Sequence, residues 1–86
     1  MYHVYVIESE LVGRWYIGCT QDVSLRLNYH NAGKVRSTKP YIPYRLVHTE
    51  TFSTLREARQ REILIKKSGR IRKELKDKYS APSSIG

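Results

Sequence analysis

Cysteine, acidic side chains and long apolar runs are all scarce in this chain of 86 residues. Cys19 is the only cysteine, which excludes an internal disulfide and a cysteine-rich zinc site, so a reducing cytoplasm is the expected compartment. No segment reaches the roughly 20 apolar residues of a membrane span, and Glu8 and Glu10 interrupt the apolar stretch near the N-terminus. We therefore expect neither a membrane segment nor a signal peptide.

Negative charge is in short supply: eight Asp and Glu stand against sixteen Lys and Arg, and the formal charge is +8. This excess favours a polyanionic partner, such as nucleic acid or an anionic membrane surface. Ribosomal and other basic proteins share it, so charge alone does not decide the function. A chain this short buries only about 60–65% of its unfolded surface. We expect one small domain over residues 1–79 and a disordered tail over residues 80–86.

The first twenty residues predict a β-hairpin. Residues 2–8 and 14–20 are both rich in β-branched and aromatic side chains, and a short polar turn separates them. Alternation puts Tyr5 on one face of the first strand, and Tyr16 and Gly18 together on one face of the second. A glycine inside a strand indicates either a close approach of other atoms or a β-bulge, and Gly18 fits both interpretations equally.

Further helices and one strand are predicted after the hairpin. In order, they are a helix over 22–31 that Thr20 or Asp22 caps, a strand over 44–50, a helix over 54–68 and a basic helix over 70–79. On the first helix, the spacing of Val23, Arg26, Leu27 and His30 places Arg26 and His30 at the border of the packed face. For His30, a charge interaction with the helix C-terminus is the structural alternative to a functional role.

Glu62 is the most informative departure from the expected pattern. It shares a helical stripe with Leu55, Ala58 and Ile65, at a position where a leucine would ordinarily stand. Burying an ionised carboxylate is unfavourable unless the group is paired or coordinates a metal. Glu62 is therefore predicted either to face a cleft that holds a cation or to pair with an arginine such as Arg26.

Residues 34–45 are basic, interleaved with tyrosines and stiffened by two prolines, which predicts an ordered surface loop. Its basic side chains could neutralise phosphates while its tyrosines stack on exposed bases. A solvated connector whose tyrosines pack on the domain edge is equally compatible. Ten of the sixteen basic residues lie from Arg56 to Lys78, which gives the last two helices a positive face. The residues predicted to contact nucleic acid are Lys34, Arg36, Lys39, Arg45, Lys66 and Lys67.

The polar residues could together hydrolyse a phosphodiester, a reaction that needs an activated water and stabilisation of the phosphate charge. Arg26 would bind the phosphate, and Glu62 would hold one hard divalent ion through oxygen. Tyr5, Tyr16 and His30 would share the proton transfers. A tyrosine acts as a base only if nearby cations lower its pKa from about 10. Each of these residues, taken alone, also has a purely structural interpretation.

The order of these residues resembles the GIY-YIG nuclease superfamily, specifically its small stand-alone UPF0213-type members. The stretches that carry the resemblance are Tyr2–Ser9, Trp15–Thr20, Asp22–Gly33 and Glu57–Ile63. The resemblance implies an α+β fold with a three-stranded antiparallel sheet flanked by helices. It also implies hydrolysis of phosphodiester bonds in DNA with one Mg²⁺ or Mn²⁺ ion. The alternatives are a module that binds nucleic acid without cutting it, or an adaptor for a repair or recombination protein.

The resemblance also assigns individual positions. They are the tripeptide tyrosines Tyr5 and Tyr16, the glycine Gly18, the helix arginine Arg26, the histidine His30 and the metal-binding glutamate Glu62. Members of the superfamily differ over which tyrosine is the base, so neither phenol receives that role. The first tripeptide here reads His-Val-Tyr in place of Gly-Ile-Tyr, and the late asparagine of many members has no counterpart. Without an attached DNA-binding domain, target choice is expected to be weak or to come from a partner protein.

Overall fold

The computed structural model describes residues 1–80, which form three strands and three α-helices. The elements are β1 (Tyr2–Ser9), β2 (Trp15–Thr20), α1 (Val23–Asn31), β3 (Tyr44–Phe52), α2 (Leu55–Lys67) and α3 (Gly69–Ser80), with a 3₁₀ turn at Lys39–Tyr41. The predicted α+β class and three-stranded antiparallel sheet are confirmed. The predicted disorder of the tail lies, from residue 81 onward, outside the described residues.

β1 is the central strand, because the sheet order is β2-β1-β3 and both pairings are antiparallel. Alternate residues of β1 face opposite layers. Val4 and Val6 are fully buried in a cluster with Ile65 of α2, and α3 also contributes to it. Tyr5 and Ile7 lie in a second cluster on the side of α1. The sheet therefore separates an apolar layer from the layer that carries the candidate site.

Gly18 pairs in register with Tyr5, and the irregularity of the sheet lies elsewhere, between Val6 and Ile7 where β1 pairs with β3. A Cβ atom built on Gly18 would stand 2.4 Å from the phenol oxygen of Tyr5. Of the two interpretations of this glycine, close approach is correct and a β-bulge is wrong. The side chain of Tyr5 crosses the space that any side chain at position 18 would fill.

Polar caps fix the direction of α1. The carboxylate of Asp22 accepts a hydrogen bond from the backbone N–H of Leu25 at 3.0 Å, which satisfies a first-turn amide. Gly33 follows the helix with a φ of +75°, in the left-handed region that glycine adopts without strain. Of the two predicted caps, Asp22 is the one that bonds to the helix, while the Thr20 hydroxyl accepts from the Asp22 N–H at 3.2 Å. Arg26 and His30 are thereby aimed at the sheet.

α2 and α3 meet at Ser68, which serves both helices. Its backbone N–H donates to the Leu64 carbonyl at the end of α2, and its hydroxyl accepts from the Ile71 N–H of α3 at 3.1 Å. α3 is anchored by Leu75, which is buried, and by Tyr79, whose hydroxyl forms a hydrogen bond with His48 of β3. Within residues 1–80, none of the helices has the length and apolar character needed to cross a membrane.

Candidate functional site

Two side chains of α1 converge on the phenol oxygen of Tyr5 in the layer between β1 and α1. The Oη atom of Tyr5 lies 3.0 Å from Nε2 of His30 and accepts a hydrogen bond from Nε of Arg26 at 3.4 Å. Tyr5 is 2% exposed and His30 is fully buried. Because Arg26 and His30 stand one helical turn apart, both reach the same atom of the central strand. Hydrogen bonds thus join three of the five predicted catalytic residues.

Thr38, in the loop after α1, determines which nitrogen of His30 carries the proton. The Nδ1 atom of His30 is 2.9 Å from Oγ1 of Thr38, and the Thr38 hydroxyl donates to the Val35 carbonyl at 3.2 Å. With the hydroxyl proton directed to that carbonyl, Oγ1 accepts from the Nδ1–H group. Nε2 then has a free lone pair, and Tyr5 donates to it. The result is a directed chain of hydrogen bonds from Arg26 to the loop backbone.

His30 is a neutral imidazole at pH 7. Burial, and then the positive charge of Arg26, lowers the pKa of His30 from 6.5 to about 4. The structural alternative, a charged His30 that interacts with the C-terminus of α1, is therefore wrong. A neutral ring with Nε2 unprotonated can accept a proton.

The phenol of Tyr5 is held protonated. Burial raises its pKa above the ordinary value, the hydrogen bond from Arg26 opposes this, and the nearby acidic groups Tyr16 and Glu62 raise it further. Tyr5 therefore does not meet the condition stated for a tyrosine base, which is a lowered pKa. In return, its hydrogen bond raises the pKa of Arg26 and keeps the guanidinium charged.

Tyr16 is the second phenol of the cluster and the one that solvent reaches. It stands on the edge strand β2, with its ring centroid 4.7 Å from that of His30 and 6.2 Å from that of Tyr5. It is half-buried, in contrast to Tyr5 and His30. A substrate that approaches this edge of the sheet meets Tyr16 before it meets Tyr5.

Glu62 lies partly buried on α2, with its side chain 16% exposed, and Lys66 one turn later donates to it at 2.8 Å. The predicted pairing with Arg26 is wrong, because Arg26 bonds to Tyr5 instead. Burial and then the charge of Glu62 raise the pKa of Cys19, so the carboxylate lies near β2. The buried stripe of α2 is shorter than predicted, since Leu55 is exposed.

Glu62 suits one kind of metal site. No group of three or more His, Cys, Asp and Glu side chains is assembled for a metal within residues 1–80. Mg²⁺, however, is commonly bound by one or two carboxylates together with substrate phosphates and water. A single carboxylate whose charge acts on the Tyr5 phenol, with hard oxygen donors, fits that mode of binding.

The basic residues predicted to contact nucleic acid come from three elements. Lys34, Arg36 and Lys39 are exposed in the loop after α1, Arg45 of β3 pairs with Glu8, and α2 supplies Lys66 and Lys67. Their contact with nucleic acid remains a prediction.

The tyrosines of this loop do not offer free stacking surfaces. Tyr44 is buried in the second core cluster, and Tyr41 is half-buried with the Arg14 guanidinium 4.9 Å from its ring centroid. Both rings pack on the domain, as the alternative interpretation of this loop predicts. Tyr29 of α1 is an exposed tyrosine with two cations beside its ring, and helical spacing gives no signal for it because it lies off the packed stripe.

Several known proteins are similar to this chain in sequence. The family model described as the GIY-YIG catalytic domain matches residues 1–76. A UPF0213 protein of Halobacterium salinarum is 45% identical over 75 residues, which cover 86% of this chain and 96% of that protein. The UPF0213 protein YazA of Bacillus subtilis is 47% identical over 62 residues, which cover 71% of this chain and 63% of that protein.

A solved structure agrees with the fold. The solution NMR structure of a UPF0213 protein of Bacillus halodurans has a TM-score of 0.52 and 38% sequence identity, and the match covers 86% of this chain and 80% of that one. All five predicted catalytic residues lie within the stretch that the family model matches.

Proposed function

The chain belongs to the GIY-YIG catalytic domain family, and from that premise we propose that it is a cytoplasmic nuclease domain that hydrolyses phosphodiester bonds in DNA with one Mg²⁺ or Mn²⁺ ion. The observation that carries the proposal is the convergence of Arg26 and His30 on the phenol oxygen of Tyr5, at 3.4 Å and 3.0 Å. This arrangement sets a fixed positive charge beside a neutral proton acceptor. Hydrolysis of a phosphodiester needs both: the positive charge stabilises the phosphate, and the acceptor takes up a proton.

Arg26 would bind the phosphate. Its Nε atom is engaged by Tyr5, and within residues 1–80 no carboxylate forms an ion pair with it. The remaining N–H groups of its planar fork suit two oxygens of one phosphate. The Tyr5 hydrogen bond holds the guanidinium in place, so little side-chain entropy is lost when a phosphate binds.

Tyr16 would contact the substrate, while Tyr5 and His30 hold a proton path behind it. A phosphate bound at Arg26 would offset the positive charge that contributes, after burial, to the low pKa of His30. Binding of the substrate therefore raises the pKa of His30. The imidazole becomes a better acceptor for the Tyr5 proton when the substrate is present.

Glu62 would hold the divalent ion. When bound, such an ion supplies a Lewis acid for a phosphate oxygen and lowers the pKa of a water molecule. To bind the ion, Glu62 would first leave Lys66, whose own side chain is half exposed and can turn to solvent. Target choice would depend on the shape of the DNA or on a partner protein.

Replacement of Glu62 tests the proposal. Supercoiled, linear, branched and single-stranded DNA are incubated with Mg²⁺ or Mn²⁺ and with wild type or Glu62→Ala. We expect Glu62→Ala to lose metal-dependent cleavage while it still folds, as denaturation of the variant would show. The matched control is Glu74→Ala, which removes the acid of another i,i+4 pair, with Arg70, and should cleave like wild type. Full activity of Glu62→Ala would refute the assignment.

A second candidate function is binding of nucleic acid without cleavage. Two observations favour it: the pKa of Tyr5 is raised by burial, and Glu62 is already paired with Lys66. A binding module would bind DNA with a strong dependence on salt and would cut none of the four substrates with either metal.

A further inference from the structure

A surface pocket of about 310 Å³ lies against the outer side of α1. It is lined by Thr20, Asp22, Leu25, Arg26 and Tyr29. Its volume falls at the lower end of the ~300–1,000 Å³ of typical ligand pockets. Arg26 belongs both to this pocket and to the cluster around Tyr5. A ligand whose negatively charged group binds Arg26 can therefore extend into the pocket.

The wall of the pocket exposes apolar surface that the fold does not cover. Leu25 is 59% exposed and Tyr29, one turn later on α1, is 44% exposed. Two cations lie close to the Tyr29 ring: the Arg26 guanidinium carbon is 5.8 Å from the ring centroid and the Lys34 Nζ atom is 5.3 Å from it. An exposed aromatic ring with two positive charges beside it matches a nucleotide strand, in which flat bases alternate with phosphates.

Asp22 indicates which part of a nucleotide would enter. Its Oδ1 atom caps α1 by accepting the Leu25 N–H, and the residue is exposed at the pocket rim. A carboxylate there repels a phosphate, whereas it can accept a hydrogen bond from the amino group of a base. The pocket therefore suits a base, with the adjoining phosphates toward Arg26 and Lys34.

We propose that this pocket binds the nucleobase next to the phosphodiester at Arg26, stacked on Tyr29. The inference rests on the proposed function, in that it places the substrate of the same site. A base can reach the pocket only when it is unstacked from its neighbours. The favoured substrates are therefore single-stranded, flapped or branched DNA, and not intact duplex.

Fluorescence of 2-aminopurine tests the pocket independently of cleavage, because stacking quenches this base. A single 2-aminopurine is placed in single-stranded, flapped and fully paired oligonucleotides, and each is titrated with protein in the absence of divalent metal. With wild type we expect quenching and tighter binding for the first two. Tyr29→Ala should abolish the quenching and weaken binding about 5- to 150-fold, the range for loss of one stacked base. Tyr29→Phe keeps the ring and should behave like wild type.

A matched pair of leucines separates the pocket from general surface effects. Leu25→Ala should weaken binding of single-stranded DNA, while Leu64→Ala, at an exposed position of α2, should not. Unchanged affinity or persistent quenching in Tyr29→Ala overturns the inference, as does equal binding of duplex or absence of quenching with wild type. Quenching that depends on Tyr29 without any cleavage leaves the pocket in place and removes the nuclease proposal. If the wild type cleaves DNA and Tyr29→Ala binds and quenches like wild type, the nuclease proposal stands and the pocket is ruled out.

Discussion

Tyr5 fits into the sheet only because residue 18 has no side chain. A methyl group there would lie 2.4 Å from the phenol oxygen and 2.5 Å from the ring carbon that bears it. The ring cannot yield easily, since it is 2% exposed and bonded to His30 and Arg26. Packing within the protein thus explains the glycine at position 18, before any substrate is considered.

Substitution of Gly18 should therefore damage both stability and activity. We expect Gly18→Ala to lower the free energy of unfolding by about 1–3 kcal/mol, as overpacking in a core does, and to displace Tyr5 from His30. The measurement is chemical denaturation, with DNA cleavage measured alongside. Gly69→Ala is the control, because the nearest atom to a Cβ there is an Arg72 nitrogen at 3.8 Å. A Gly18→Ala protein as stable as wild type would contradict this packing.

His30 should make the protein less stable in mild acid. Its pKa is about 4 in the folded chain and about 6.5 when unfolded, so the unfolded state binds a proton first as the pH falls. Stability due to this group is full above pH 6.5 and declines by up to about 3 kcal/mol as the pH falls to 4. Denaturation of wild type and His30→Gln at pH 7 and pH 4.5 checks this, and the variant should show the smaller decrease.

Glu50 loses its contribution to stability at a lower pH than His30 does, so it does not affect the comparison of wild type with His30→Gln. Although burial opposes the effect, hydrogen bonds from Arg61 and His48 hold the pKa of Glu50 below its usual value. Its contribution to stability is present at neutral pH and is lost only as the pH falls through that lowered pKa. The same slope in wild type and His30→Gln between pH 7 and 4.5 would show that His30 is not the group responsible.

At the scale of elements, the sequence predicted which faces of the strands and helices carry the site residues, but it did not predict the contact that the loop after α1 makes with His30. Alternation in β1 and the i, i+3, i+4 spacing of α1 correctly placed Tyr5, Arg26 and His30 on the faces where the structure shows them. Thr38 has no such pattern, because it lies in a loop whose path is set by tertiary packing. Its contact with His30 therefore could not be read from the sequence.

The partner of Glu62 shows the opposite case. Lys66 follows Glu62 by four residues, a spacing that favours an ion pair on any helix, so this signal was present in the sequence. The predicted pair of Glu62 with Arg26 does not form, because Arg26 is hydrogen-bonded to the neutral phenol of Tyr5 on β1. Long-range hydrogen bonds between uncharged and charged groups leave no trace in charge patterns.

The loop after α1 should control His30 through Thr38. Thr38→Val keeps the shape of the side chain but leaves the buried Nδ1–H group without an acceptor, at a cost of about 1–3 kcal/mol in the free energy of unfolding. The imidazole should respond by moving its proton to Nε2, which nitrogen NMR of the ring detects. Thr38→Ser retains the hydroxyl and should restore the wild-type tautomer. An unchanged tautomer in Thr38→Val would show that Thr38 does not set it.

For the whole molecule, positive charge is abundant and only partly neutralised. In the part of the chain that the structure describes, α3 internally pairs Arg70 with Glu74 and Lys73 with Asp77, and Arg45 pairs with Glu8. The formal charge of +8 nevertheless remains, and it attracts polyanions over a distance that salt shortens. Under the proposed function, this charge would draw DNA to the protein, and the residues around Tyr5 would decide where it is cut.

The most direct measurement is the rate of Mg²⁺- or Mn²⁺-dependent cleavage of flapped DNA by wild type, Arg26→Ala and Arg56→Ala. Arg56 is the matched control, an exposed arginine of α2 outside the cluster. We predict cleavage by wild type and Arg56→Ala, and a loss of about 10²–10³-fold in Arg26→Ala, the effect of removing one group that stabilises transition-state charge. Equal rates for Arg26→Ala and Arg56→Ala, or no cleavage by wild type, would contradict a hydrolytic site at Tyr5, Arg26 and His30.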